Sequence, residues 1–359
     1  MTPTAEKFFS LLRYSLGEQQ EPPIIADDEW EAVNVMAAEQ SLTGVLCQGV
    51  IRMSAAVSLS DEVRLTWLLQ TGQIAEVNRQ TNAACAKVVK RLQREGYDCC
   101  VLKGQGNALI YPNPMARIPG DIDIWVRGDI PSIIKLGRQT NPEAKPMYHH
   151  IDFQSVGDIP VEVHYRPAFM NNLIRNRRLQ GWFSEQAAEQ CAHLVALPDS
   201  AGTIPVPTDA FNRIYQVAHI SKHILHEGIG LRQIIDYYYL LKRGFSREER
   251  LHDEQMLRDF GLYDVATAVM YVLKEALGAS EDMLLVTADA RRGRFLLDEM
   301  LLAGNFGHFD QRLANTHSQL AKNVQRLKRD GRFFSYFPSE CLWEPVFRWY
   351  HFFWRIRHR

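Results

Sequence analysis

Two neighbouring stretches decide the fold, Leu102-Lys103-Gly104-Gln105-Gly106 and Gly120-Asp121-Ile122-Asp123-Ile124-Trp125-Val126. The first is a glycine turn after a short apolar run, and the second alternates carboxylates with apolar residues. Side chains of a strand alternate between its faces, so Asp121 and Asp123 share one face and Ile122, Ile124 and Val126 share the other. Adjacent carboxylates repel each other, and a divalent cation between them relieves that repulsion. The pair therefore predicts a metal site.

The composition is that of an ordinary globular protein, with 359 residues of which 46% are hydrophobic and 23% charged. A formal net charge of −1 argues against a protein whose main task is to coat nucleic acid. No apolar run reaches the roughly 18–20 residues of a membrane span, and no signal peptide is visible. The six cysteines lack zinc spacing. We therefore expect reduced thiols and a cytoplasmic location.

Hydrophobic periodicity divides the chain into three regions. Residues 1–75 are predicted to be an N-terminal helical region. A long helix over about 63–95, either continuous or bent at Gly72, is expected to run from this region into the next. Residues 76–167 contain short strands separated by glycine and proline turns and form the predicted core. Residues 168–359 are mostly helical. The expected fold class is α+β, with a small mixed sheet flanked by helices and a mostly α-helical C-terminal domain.

A later strand, Pro160-Val161-Glu162-Val163-His164-Tyr165, offers a third carboxylate. Glu162 and His164 share one face of it, and Glu162 is the predicted third metal ligand. An isolated glutamate in a strand is otherwise simply exposed, and Asp152 and Asp158 are the competing carboxylates. His164 either orients Glu162, meets a phosphate, or is a structural histidine.

These features together resemble the polymerase-beta-like nucleotidyltransferase superfamily: a glycine turn, a short helix, an Asp-x-Asp strand and a later acidic strand. The resemblance is closer to an uncharacterised bacterial nucleotidyltransferase family, and it rests on Leu102-Lys103-Gly104, Arg117, Gly120-Asp121-Ile122-Asp123 and Val163-His164. The helical half of that family is similar to His223, Gly230-Leu231-Arg232 and Asp236 in this chain. The superfamily usually has Gly-Ser at the glycine turn, where this chain has Gly104-Gln105.

The resemblance implies a metal-dependent transfer of NMP from an NTP, ATP among the candidates, to an unidentified hydroxyl of a small molecule or protein, less readily of RNA. Residue chemistry agrees, because two Mg²⁺ (or Mn²⁺) ions can stabilise the attacking and leaving oxygens of such a displacement. The predicted catalytic and metal-binding residues are Asp121, Asp123 and Glu162. The predicted nucleotide-binding residues are Lys103, Gly104, Gln105, Gly106, Arg117, His164 and Arg232. The alternative is a non-catalytic nucleotide- or partner-binding module that kept the fold, which the missing serine at Gln105 favours.

Three further patterns have both a structural and a functional interpretation. His219, His223 and His226 share a helix without the glutamate of a zinc motif, so they are expected to pack or to line the nucleotide cleft with Arg232 and Asp236. Trp125 either packs in the core or stacks on a base. The aromatic and basic tail from residue 322 to 359 is expected to be a docked terminal helix, with a partner, membrane or nucleic-acid surface as the alternative.

Overall fold

The structure is a computed structural model that describes residues 2–54, 59–226, 228–304 and 319–358. It begins with three helices, α1 (Pro3–Leu16), α2 (Trp30–Glu39) and α3 (Thr43–Ser54). Helix α4 (Asp61–Arg94) follows as one continuous helix of 34 residues. Ser60 caps its N-terminus by accepting a hydrogen bond from the Val63 N–H. The helix is not broken at Gly72. The expected domain boundary at residue 75 lies within this helix, and the division into domains stays a prediction.

A four-stranded mixed sheet forms the core, as the sequence predicted. Its strands are β1 (Cys99–Val101), β2 (Ile122–Val126), β3 (His150–Val156) and β4 (Ile159–His164), in the order β1-β2-β4-β3. Strands β2 and β4 are parallel, and the other two pairings are antiparallel. The short helix α5 (Gln105–Ala108) follows the glycine turn, and α6 (Ile130–Thr140) follows β2.

The two faces of the sheet pack against different helices. Ile122, Ile124 and Val126 point into a core shared with α4 and α6. On the other face, the Trp125 ring stacks on Phe211, with the ring centroids 5.8 Å apart. Trp125 is buried in that second core. Core packing, the structural interpretation of this tryptophan, is therefore the one that the structure confirms.

The C-terminal half is mostly helical, as predicted. Its elements are α7 (Leu173–Ala192), β5 (Leu194–Ala196), β6 (Thr203–Pro205), α8 (Asp209–His226), α9 (Leu231–Lys242), α10 (Arg247–Phe260), α11 (Tyr263–Glu275), α12 (Ala290–Ala303), α13 (Gln319–Phe334) and α14 (Pro338–Arg357). Helices α10 and α11 are separate, because Gly261 adopts φ +70° and ends α10.

The tail docks on the body through one face of α14, as expected. Cys341, Phe347 and Trp354 are buried, and the Phe347 ring stacks on Phe169 at a centroid distance of 4.9 Å. All six cysteines of the chain lie in the described ranges and are free thiols. None of the described helices has the length and apolarity of a bilayer-spanning segment.

Candidate active site

The sheet brings the predicted carboxylates together. Asp123 on β2 lies directly opposite Glu162 on the parallel strand β4, and Asp121 immediately precedes β2. His164 lies two residues beyond Glu162 and therefore on the same face. Ligand atoms of Asp123, Glu162 and His164 all lie within 4.8 Å of one another, close enough to bind one metal ion.

The competing carboxylates are more exposed, although the ligand atoms of Asp152, His150 and Glu162 also lie within 4.8 Å of one another. Asp158 is in the exposed turn between β3 and β4. Asp152 pairs with Glu162 from the other side, on β3, and its side chain is 59% exposed compared with 26% for Glu162. Glu162 is thus the acidic residue of β4 that directly neighbours Asp123.

Two basic groups surround the buried Asp123 carboxylate. The Lys103 Nζ lies 2.9 Å from its Oδ2, and the His164 Nε2 lies 2.8 Å from its Oδ1. Burial alone would raise the pKa of Asp123, but Lys103 and His164 outweigh burial and lower it. Burial lowers the pKa of Lys103, but the carboxylates of Asp123, Asp121 and Glu162 outweigh burial and raise it. Lys103 and Asp123 are therefore both ionised at neutral pH.

His164 also joins the second carboxylate. Its Nε2 lies 3.2 Å from Glu162 Oε2, and His150 Nδ1 lies 3.3 Å from the same oxygen. Burial lowers the pKa of His164, and the hydrogen bonds to Asp123 and Glu162 more than compensate, so its pKa is raised. His164 therefore contacts both carboxylates, and its roles in orienting Glu162 and in meeting a phosphate stay predictions.

Among the predicted metal ligands, Asp121 is a carboxylate whose charged form is disfavoured by its surroundings. Asp123 is the largest influence on it and raises its pKa, burial acts in the same direction, and Lys103 only partly offsets both. A carboxylate held close to a second carboxylate gains from any cation placed between them. The electrostatics of Asp121 thus favour cation binding.

The glycine turn needs glycine at residue 104. Gly104 has φ 51° and ψ −110°, a backbone conformation that L side chains rarely adopt, and a Cβ there would lie 3.4 Å from Asp121 O. The Gly106 N–H donates to Lys103 O at 2.9 Å, which closes the turn. The turn therefore lies directly beside the first aspartate.

Gln105 turns its side chain away from the cavity and towards α4. It is buried, and its Nε2 donates to Asn78 Oδ1 at 3.2 Å and to Asn82 Oδ1 at 2.5 Å. Asn78 in turn donates to Arg117 O at 2.8 Å and so also holds the loop before β2. Sequence reasoning missed these asparagines, although polar residues at i and i+4 on a buried helix face were a visible signal. A nucleotide contact of Gln105 would have to use its backbone, and it stays a prediction.

The Arg117 guanidinium binds a carboxylate of the C-terminal half. Its Nε and Nη2 donate to Asp236 Oδ1 and Oδ2 at 2.8 and 2.9 Å. Tyr111 and Asn107 donate to the same carboxylate at 2.6 and 3.1 Å. Burial lowers the pKa of Arg117, but Asp236 outweighs burial and raises it. Arg117 therefore fixes the core against α9, and its predicted phosphate contact stays a prediction.

A small cavity lies between the sheet and helices α8 and α9. Lys103, Gly104 and the two aspartates line it from the core, and His219 and Arg232 line it from the helices. Burial lowers the pKa of Arg232 to about 10, so its side chain is still a cation at neutral pH. Burial lowers the pKa of His219 too, which leaves its imidazole neutral. The cavity lining thus combines three carboxylates, Asp121, Asp123 and Asp236, with three cations, Lys103, Arg117 and Arg232.

The chain is similar to proteins described as nucleotidyltransferase or nucleotidyltransferase-like. The model of a family described as uncharacterised nucleotidyltransferase matches residues 26–277. No curated protein matches the chain. The chain is similar to the crystal structure of an antigenic nucleotidyltransferase-like protein from Paracoccidioides brasiliensis, with 12% identity and a TM-score of 0.31, over 59% of this chain and 96% of that one.

Proposed function

We propose that this chain, which belongs to the uncharacterised nucleotidyltransferase family, transfers NMP from an NTP to a hydroxyl acceptor with the help of divalent metal ions. Family membership confirms the resemblance seen in the sequence and supports the general class of nucleotidyl transfer. The metal, the NTP, a small-molecule or protein acceptor and a cytoplasmic location are our proposal. The observation that carries it is the direct pairing of Asp123 with Glu162, with Asp121 one step before β2.

The donor set fits a hard divalent cation. Carboxylate oxygens are the ligands that Mg²⁺ and Mn²⁺ prefer, and Asp121 and Asp123 repel each other where such an ion would relieve them. When bound with the triphosphate, two such ions stabilise the attacking and leaving oxygens of an in-line displacement. Asp121, Asp123 and Glu162 are the residues that would hold them.

The remaining side chains position the substrates. Lys103 and Arg232 line the cavity and offset the charge of a triphosphate. Glu162 orients the acceptor hydroxyl and accepts its proton, and His164 holds the Glu162 carboxylate in place. Gly104 lets the backbone of the turn approach the phosphates without a side chain between them.

The test is a labelling assay with each NTP, labelled at the α-phosphate, in cell extract supplied with Mg²⁺ or Mn²⁺. The wild type is compared with Asp121→Asn/Asp123→Asn and with Asp158→Asn, a matched control that removes an exposed carboxylate of the same sheet. We expect labelled product with the wild type and the control, and a loss of at least about 100-fold with the double variant. Equal labelling by all three proteins would contradict the proposal.

A non-catalytic nucleotide-binding module is the second candidate. It is favoured by one observation, that the Gln105 side chain is committed to α4 where the superfamily usually has a serine. Calorimetry separates the two candidates. Binding of Mg²⁺–NTP that is lost in Asp121→Asn/Asp123→Asn, without any labelled product from the wild type, would support this second function.

A further inference from the structure

Helix α14 is apolar on two opposite faces. One face packs on the body, and the other carries large exposed side chains spaced by three and four residues: Leu342 63%, Val346 47%, Trp349 67%, Phe353 61% and Ile356 50% exposed. Tyr350 and Phe352 flank this row and are 42% and 44% exposed. We call these seven residues the aromatic face. At 100° and 1.5 Å per residue, the aromatic face covers about 160° of the helix surface and is about 21 Å long. A patch of this kind marks an interaction site.

The charges beside the aromatic face are positive. The two acidic residues of α14, Glu340 and Glu344, are buried, whereas Arg355 and Arg357 are exposed. Arg357 also lines an open cleft with Lys135 and Arg138 of α6, together with Pro131 and Ile134. Arg138 is fixed there by donating to His358 O at 3.1 Å. Three cations from two helices thus converge at the C-terminal end of the aromatic face.

We propose that the aromatic face docks into the surface of an anionic lipid bilayer. The helix would lie in the plane of the interface with Trp349 and Phe353 at the boundary between headgroups and acyl chains, while the cationic cleft meets lipid phosphates. Exposed Trp, Phe and Leu combined with Arg and Lys are the composition of interfacial helices. The cations add long-range attraction to a negatively charged membrane surface.

A second copy of the chain fits the same face less well. An isologous contact would place Arg355 and Arg357 either beside their own counterparts or beside the N-terminal end of the second α14, and in both cases α14 has no exposed acid to pair with them. A coiled-coil seam is also narrower than this face and is normally flanked by charges of both signs. The aromatic residues Tyr350 and Phe352 stand in those flanking places. Charge and width therefore favour lipid.

The test is cosedimentation of the full chain with vesicles of phosphatidylcholine alone and of phosphatidylcholine with one quarter phosphatidylglycerol. We expect binding to the anionic vesicles that weakens as salt is raised. Trp349→Glu/Phe353→Glu should lower the partition coefficient at least about tenfold. Lys135→Gln and Arg138→Gln should each lower it roughly fivefold. Leu65→Glu/Leu69→Glu, which changes exposed leucines on α4, is the matched control and should bind like the wild type.

A second measurement does not depend on the folding of the acidic variant. Brominated acyl chains should quench wild-type tryptophan fluorescence, and Trp349→Phe should remove most of that quenching. Absent vesicle binding, or binding that the α14 and control variants weaken equally, would overturn the proposal. A dimer in sedimentation equilibrium that Trp349→Glu/Phe353→Glu abolishes, without vesicle binding, would assign the face to a second copy. Salt-sensitive capture by an acidic protein, again without vesicle binding, would also overturn it.

Discussion

Replacing Asp236 by Asn should destabilise the protein by about 3–5 kcal/mol, because it removes one partner of a buried ion pair. Asp236 accepts two hydrogen bonds from Arg117, at 2.8 and 2.9 Å, and one each from Tyr111 and Asn107. The charged side chains of the pair are only 5% and 4% exposed, so water does not replace the lost partner. An amide keeps one acceptor oxygen but leaves the guanidinium charge uncompensated.

The measurement is urea denaturation followed by circular dichroism. Asp209→Asn is the matched control, since Asp209 pairs with Arg243 at 2.6 Å on the surface, and its loss should cost less than about 1 kcal/mol. Arg117→Met/Asp236→Leu should recover only part of the stability. The apolar pair avoids the desolvation of both charges, but the buried donors of Tyr111 and Asn107 lose their acceptor. A cost below about 1 kcal/mol for Asp236→Asn would refute this reasoning. Tighter NTP binding in that variant would indicate that Arg117 binds the phosphates.

Three further changes test the site and the tail. Gln105→Leu should cost about 1–3 kcal/mol in urea denaturation, because two buried asparagine acceptors lose their donor. Gly104→Ala should cost about 1–3 kcal/mol and lower NTP labelling, since φ 51° with ψ −110° strains an L residue, whereas Gly72→Ala in open space on α4 should stabilise the chain by up to about 1 kcal/mol. Burial raises the pKa of Glu340 from 4.5 to about 7, so the folded chain holds a proton that the unfolded chain releases between those values. Stability should therefore fall by about 3 kcal/mol as pH rises through that window, and Glu340→Gln should remove the fall; an unchanged pH profile would contradict the assignment.

The sheet and its acidic face were predictable because their signals are local. Alternation along β2 assigns Asp121 and Asp123 to one face from a few consecutive residues. The same rule assigns Glu162 and His164 to one face of β4. The parallel pairing that puts Asp123 opposite Glu162 is a tertiary fact, but a small sheet offers few other neighbours to β2.

The contacts of Gln105 and Arg117 were not predictable from the sequence. Each depends on a partner distant in the chain, since Gln105 meets Asn78 on α4 and Arg117 meets Asp236 on α9. A buried polar side chain takes whichever partner the packing brings to it, and residue type alone does not name that partner. The hairpin formed by β5 and β6 was missed for another reason: its strands have three residues each, too few to show alternation.

Lys103 and Arg117, both among the predicted nucleotide-binding residues, have contacts that separate their roles. Arg117 is held by a fixed, planar and bidentate contact, and its movement would leave Asp236 unpaired in a buried site. Lys103 makes a single contact to Asp123 through a flexible stem, and its side chain is 17% exposed. A divalent cation bound to Asp123 would take over the neutralising role of Lys103, whose ammonium group could then turn to a phosphate in the same cavity. We therefore expect Lys103→Met to weaken NTP binding in calorimetry much more than it lowers stability, which is the reverse of the pattern expected for Asp236→Asn.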